Sequence, residues 1–280
     1  MDKISIILVN YHTSELIKKI LKKLNEENFE VVIWNNSPSD KIENHKNVKV
    51  INSKTNIGFG PAINRAIKYA NSEYVLLLNP DCDFEIDVIY KLYEFLKNND
   101  TAFAVSPKVL THNNKIWPTA RKLNNPFLFL FARRSIFRVF KKFHNEFLYL
   151  NENKEILEVE GLCATFLMLK KSIFLKLNGF DEKFFFYAED VDLSLRARRN
   201  EYKLFILNNL IVYHSVGITR KIKNSFTEFK RAKSLFLFLV KNYLLFKIIS
   251  PLLLIGLLIY LEMLMLRELF DLKVKDPLWK

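Results

Sequence analysis

The sequence predicts an α/β fold, a mostly parallel sheet flanked by helices, with a helical segment appended at the C-terminal end. Two observations carry the prediction. Up to about residue 100, short runs rich in Val, Ile and Leu alternate with stretches whose apolar residues recur at helical spacing, as in strand–helix–strand units. From Ser225 onward the pattern is helical throughout, and apolar residues crowd the stretch after Leu235. A chain of 280 residues can bury one large core and still carry such an appendage.

Each element follows from its local pattern. "ISIILVN" (Ile4 to Asn10) reads as a buried strand. Thr13 or Ser14 can cap the next helix, in which Leu16, Ile20 and Leu24 share a face. "FEVVIW" (Phe29 to Trp34) is a second strand, ended by the polar turn "NNSPSD", and "VKVIN" is a third. "NIGFGPAINRAIKYA" opens on glycines and continues as a helix with Pro61 in its first turn, where a missing N–H costs nothing. "YVLLL" is the fourth strand. From about Lys108 to Glu158 the pattern loosens into a basic, aromatic insertion, and "FLFLFARRSIFRVFKKF" reads as a basic amphipathic helix. Strand-like "TFLMLK", a short helix, the helix "VDLSLRARRN" and strand-like "YKLFIL" and "LIVYHS" follow. We divide the chain into an α/β domain, residues 1–224, and a C-terminal helical segment, residues 225–280.

The net charge of +13 excludes an acidic disordered chain and points to an anionic partner: nucleic acid, a phosphorylated substrate or a membrane surface. Two cysteines, Cys82 and Cys163, cannot form a disulfide framework, which favours a reducing, cytoplasmic compartment. The N-terminus reads as a first strand rather than a signal peptide. "IISPLLLIGLLIYL" (Ile248 to Leu261) runs for 14 residues between Lys247 and Glu262. That is shorter than the roughly 20 apolar residues of a membrane span, so an interfacial segment is expected.

The carboxyl ends of strands are where alternating folds bind ligands. "YVLLLNPDCDF" delivers Asp81 and Asp83 at such an end, two apart, where an extended chain would point both carboxylates at one ion. The competing explanation is a solvated turn. "AEDVD" brings three more acids to a helix start, where the dipole alone favours them. Asp192 can pair with Arg196 four residues on and is expected to be structural. Glu189 and Asp190 follow the aromatic run "FFFY", whose partial desolvation suits a general base. His214 ends a strand; alone it is weak evidence, but with two carboxylates it suits Mn²⁺ or a similar ion. The glycines of "NIGFGPAIN" permit either a close approach to a ligand or a tight turn, and the sequence does not choose.

Six stretches in order, "ILVNYH", "VVIWNNSPSD", "NIGFGPAINRA", "LLLNPDCDF", "GLCATFLMLKKSIFLKLNGFDEKFFFYAEDVDLSLR" and "VYHSVGIT", resemble family 2 inverting glycosyltransferases of the GT-A (Rossmann-like) fold. The likeness is to the bacterial rhamnosyltransferase-like branch that builds surface polysaccharides, and it covers roughly residues 3 to 220. The resemblance implies Asp81, Asp83 and His214 as ligands of Mn²⁺ or Mg²⁺, with Asp83 the more direct. It implies Asp190 as catalytic base with Glu189 beside it. Asn10, Tyr11, Asn35, Asn36, Asn56, Gly58, Asn64 and Asp81 fall where the family holds the nucleotide sugar. Two positions depart from the family pattern: Asn35 stands where Asp is usual, and Ala66 where Gly is usual. An amide oxygen at Asn35 can still accept from a pyrimidine N3–H, more weakly than a carboxylate.

The implied partners are a nucleotide-diphosphate sugar and a glycan or polyprenyl-diphosphate-linked acceptor. Lys221, Lys223, Lys230, Arg231, Lys233, Lys241 and Lys247 lead into the apolar tail, which suits peripheral contact with the inner face of the cell membrane. Binding of nucleic acid is not expected, because no recognition module is visible and the basic residues adjoin that tail. A non-catalytic basic scaffold is the alternative. A processive synthase would need a Gln-x-x-Arg-Trp motif, and the chain contains no Gln.

Overall fold

Strand residues that are apolar on both faces must lie inside a sheet covered on both sides, and that requirement organises the architecture. A computed structural model describes residues 3–24, 28–44, 46–127, 145, 147–150, 154–215 and 225–269, with side chains in the last segment from 229 to 263. β1 (Ile4–Asn10), β2 (Phe29–Asn35), β3 (Val48–Asn52) and β4 (Tyr74–Leu78) are parallel, in the order β3-β2-β1-β4. The chain steps outward from β1 to β3 and then returns to the other side of β1. That reversal makes a topological switch point at the carboxyl ends of β1 and β4.

Further strands follow: β5 (Cys82–Asp83), β6 (Ala102–Leu110), β7 (Ala120–Arg121), β8 (Ile156–Val159), β9 (Gly161–Leu162), β10 (Phe166–Lys170) and β11 (Lys203–His214). β10 lies antiparallel between β4 and β6, β11 runs parallel to β6, and β5 and β8 are antiparallel to β11. The sheet is therefore mixed, not mostly parallel. Inference from alternation holds only while a crossover helix follows each strand, and β8, β9 and β10 succeed one another without one. β7 and β9 pair separately as a small two-stranded sheet.

Successive residues of the central strands feed opposite cores. Ile7, Val32, Leu77 and Leu169 belong to the one that includes Ala62, Ile63 and Ala66 of the Phe59–Ala66 helix. Ile6, Leu8, Leu76 and Met168 belong to the other, with Ile17 and Ile20 of the Ser14–Lys23 helix and Leu92 and Leu96 of the Ile86–Lys97 helix. Thr13 occupies the N-cap position of the first helix, but its hydroxyl donates to Asn10 Oδ1 at 3.0 Å instead of capping. β6 runs past Lys108, where the sequence pattern loosens; Pro107 within it disguises a buried strand. "YKLFIL" and "LIVYHS" prove to be one strand, β11, with an irregular register between Leu207 and Ile211. The amphipathic helix expected at residues 127–143 lies, but for Phe127, outside the described residues.

The chain forms two compact units, residues 1–185 with 189–219 and residues 186–188 with 220–280. The second contains the helices Ser225–Asn242, Leu244–Ile248 and Ser250–Leu269. Pro251 opens the last of these, in its first turn, and does not interrupt a helix. Among the described residues no helix is long and apolar enough to cross a membrane. Leu244, Ile248, Leu252, Ile255, Ile259 and Met263 are nonetheless exposed.

Candidate active site

β4 ends at Leu78, and the turn after it brings Asp81 to the end of β11. His214 Nε2 lies 3.0 Å from Asp81 Oδ1, and both side chains are buried. Cys82 pairs with His214 across the β5–β11 ladder, so its thiol joins the group; burial and the Asp81 charge push that thiol well up and keep it protonated. Asp83 is not brought to this cluster. Its side chain is 67% exposed, and Oδ1 meets Lys23 Nζ at 3.2 Å. The expectation that residues two apart point together fails for a physical reason. Only Cys82 and Asp83 are in strand conformation, while Asp81 lies in the preceding turn and escapes the alternation. His214 Nδ1 is buried with no hydrogen-bond partner, and a carboxylate with an imidazole is a donor set for Mn²⁺, so these residues fit a divalent ion.

The second acidic group opens the Glu189–Arg199 helix. Asp192 is fully buried and receives Arg196 Nε at 2.8 Å; Arg196 also donates to the Leu177 and Gly179 carbonyls, so this pair is structural, as the spacing indicated. Asp190 Oδ1 accepts from the Val191 N–H at 2.8 Å. Two residues missed in the sequence face it. Arg121 of β7 donates to Cys163 Sγ, and both interact electrostatically with Asp190. Burial pushes the Cys163 thiol up to about 12, so it is a neutral group rather than a nucleophile. Cys163 lay within a quoted motif, whereas Arg121 sits in the aperiodic insertion, where no spacing could mark it.

Glu189 is buried, and its Oε2 has no hydrogen-bond partner. Burial and the neighbouring Asp190 charge push its pKa up from 4.5 to about 8. Below about 4.5 both folded and unfolded chains hold this proton. Between about 4.5 and about 8 the unfolded chain releases it while the native protein keeps it, so stability falls as pH rises; above that window the loss is constant. Glu189→Gln is expected to flatten this slope. Denaturant titrations at the two ends of the window measure it, and an unaltered slope would contradict the assignment.

The glycine loop approaches the chain itself. Gly58 has φ +94°, and a Cβ there would lie 2.4 Å from the Phe185 carbonyl oxygen; Phe59 N donates to that oxygen at 3.2 Å. A Cβ on Gly60 would come within 3.6 Å of Glu189 Cβ. The glycines thus let the loop dock beside the acidic helix start.

The residues expected around the nucleotide divide into two sets. Asn10, Asn35 and Asn36 are buried and bonded to the scaffold. Asn10 Nδ2 donates to Asn35 Oδ1 and to Asp40 Oδ2, and its Oδ1 accepts from Thr13. Asn36 joins Trp34 Nε1, the Ile57 N–H and the Gly58 carbonyl. Asn64 clamps Phe180 through both its backbone groups, at 2.8 and 2.9 Å. Asn56 Oδ1 accepts the Gly58 N–H at 2.9 Å. Tyr11, by contrast, is exposed at the end of β1, tilted against His12. Asp40, the last residue of the "NNSPSD" turn, is a further carboxylate here that its position in a polar turn concealed.

The chain is similar to known proteins in sequence and in fold. A hexosyltransferase of low-salt glycan biosynthesis from Haloferax volcanii, Agl10, is 28% identical over 211 residues, 73% of this chain and 64% of its own length. The chain thus spans less than two thirds of that relative. The N-acetylglucosaminyl-diphospho-decaprenol L-rhamnosyltransferase of Mycobacterium tuberculosis is 24% identical over 242 residues, 78% of each chain. Two solved structures share the fold. One is the mannosyltransferase PcManGT of Pyrobaculum calidifontis in complex with GDP-Man and Mn²⁺, with TM-score 0.58 and 16% identity over 85% of this chain and 63% of that one. The other is S. aureus TarS 1–349, with TM-score 0.55 and 18% identity over 98% of this chain and 75% of that one. The model of "Glycosyl transferase family 2" matches residues 5–177, more than half of the sequence, and the chain belongs to that family.

Proposed function

We propose that the protein is an inverting glycosyltransferase. It moves a sugar, with rhamnose the first candidate, from a nucleotide diphosphate to a glycan or polyprenyl-diphosphate-linked acceptor in bacterial surface polysaccharide synthesis. The observation that carries the reading is the buried Asp81–His214 pair at the carboxyl end of β4, beside the switch point of the sheet. Asp81 and His214 would hold Mn²⁺ or Mg²⁺, and Asp83 would join them only by leaving Lys23 and turning to the His214 side of β5. A divalent ion there supplies charge neutralisation for the departing diphosphate. Asp190 takes the proton of the acceptor hydroxyl as its oxygen attacks the anomeric carbon. A single displacement, with Asp190 as the base, inverts the configuration. Exposed Tyr11 offers a stacking surface to the base of the donor.

Incubation with a panel of nucleotide sugars, Mn²⁺ and a lipid-linked acceptor tests the reading, with anomeric configuration read by NMR. Transfer with inversion is expected; neither transfer nor donor hydrolysis from any sugar would defeat it, and retention would defeat the single displacement.

The C-terminal helices fit the inner leaflet of the membrane as a peripheral partner. Lys241 and Lys247 adjoin the exposed Leu244, Ile248, Leu252 and Ile255, so cationic groups can meet anionic headgroups while apolar ones enter the acyl boundary. Deleting residues 225–280 is expected to abolish sedimentation with anionic vesicles while preserving transfer to a soluble acceptor analogue. Undiminished vesicle binding would refute the assignment.

A further inference from the structure

Asn35 stands where an acceptor for the base of the donor was expected, but its hydrogen-bonding capacity is already used. Nδ2 donates to the Asp40 carbonyl at 3.0 Å and to Asn52 Oδ1 at 2.8 Å. Oδ1 accepts from Asn10 Nδ2 at 2.8 Å and from the Ser37 N–H at 3.0 Å. An amide has two N–H donors and two lone pairs, so all four positions are filled, and the side chain is fully buried. A base could reach Asn35 only by breaking that frame.

The frame ends on a second acceptor. Asn10 Nδ2 also donates to Asp40 Oδ2 at 3.0 Å, which fixes the orientation of that carboxylate. Among the described residues Asp40 Oδ1 has only longer contacts, Ser39 Oγ at 3.5 Å and His12 Nδ1 at 3.7 Å. The Asp40 side chain is 15% exposed, so the group is held yet open to a ligand. An ionised carboxylate accepts at about four sites. Spare acceptor capacity at the ends of β1 and β2 therefore belongs to Asp40, adjacent in this network to the stretch that carries exposed Tyr11.

We propose that Asp40, rather than Asn35, is the residue that reads the donor's base, and that the base is one with a ring N–H: uracil, thymine or guanine, not cytosine. The inference rests on the nucleotide-sugar reading above and adds its base class and the residue that sets it. A carboxylate accepts from an imide or lactam N–H, but it meets a bare lone pair at N3 of cytosine. A buried polar site discriminates strongly against an analogue that leaves it unpaired.

Calorimetric binding of UDP, dTDP, GDP, CDP and inorganic pyrophosphate to the full chain with Mn²⁺ tests this, with N3-methyl-UDP as a ligand that lacks the N–H. The wild-type protein is expected to bind at least one of UDP, dTDP and GDP about ten- to a hundredfold more tightly than CDP, the usual worth of a hydrogen bond to a charged acceptor. If UDP is the tight ligand, N3-methylation should cost the same factor. Asp40→Ala, which leaves no side-chain acceptor, should lose the preference while pyrophosphate binding is unchanged. CDP binding as tightly as the others, or a preference that survives Asp40→Ala, would overturn the assignment and leave the glycosyltransferase reading intact. Failure of every nucleotide to bind the wild-type protein would overturn both. The methylated ligand and CDP probe the unaltered protein, so an unstable variant does not remove the test.

Discussion

Asp190→Asn is expected to bind donor and metal as the wild-type protein does, and to transfer sugar about 10²–10⁴ times more slowly, the usual worth of a general base. The variant retains an oxygen for the Val191 N–H that Asp190 Oδ1 now accepts, so the helix start should survive. It loses the basicity that the proposed role asks of Asp190, which would take the acceptor's proton. Arg121 and Cys163 lie beside it, with Arg121 supplying positive charge to a carboxylate that also neighbours Glu189. Asp192→Asn, two residues on, should behave differently. Asp192 is fully buried against Arg196, so its neutralisation leaves a guanidinium short of charge, costing about 2–4 kcal/mol of stability. Single-turnover kinetics with preloaded donor, together with denaturant melts of both variants, separates the two. Exchanged phenotypes would reverse the assignments.

Asp81→Asn is expected to abolish Mn²⁺-dependent donor binding, and excess chelator should do the same to the wild-type protein. The carboxylate lies 3.0 Å from His214 Nε2 in a buried setting, where a single charge carries more weight than at the surface. An ion there would neutralise the diphosphate during departure, a contribution of several kcal/mol. Asp83→Asn should be milder. Its carboxylate is exposed and shared with Lys23, so binding would fall without vanishing. Isothermal titration of donor in Mn²⁺ and in chelator measures each effect. Full transfer in excess chelator would remove the metal from the reaction.

Much of this was legible in the chain because the signals were local. β1 and β3 coincide with their apolar runs, the Asp192–Arg196 pair follows from helical spacing, and the order of motifs led to the family. Other features were settled by contacts between distant segments. The antiparallel placement of β10 between β4 and β6 depends on pairing with two strands far away in the chain, and no property of "FLMLK" encodes that. Asp81 and Asp83 part company because a turn meets a two-residue strand between them, and the register of β11 decides which of them His214 joins. Asn35 and Asp40 look like two residues of one polar turn; their different hydrogen-bonding states arise from Asn10 and Asn52 on neighbouring strands. Which residue types stand at the strand ends and helix starts is written in the chain, since period and propensity act within a few residues. Which of those polar atoms are consumed by one another and which stay open is set by folding, because it depends on pairings between segments far apart in the chain.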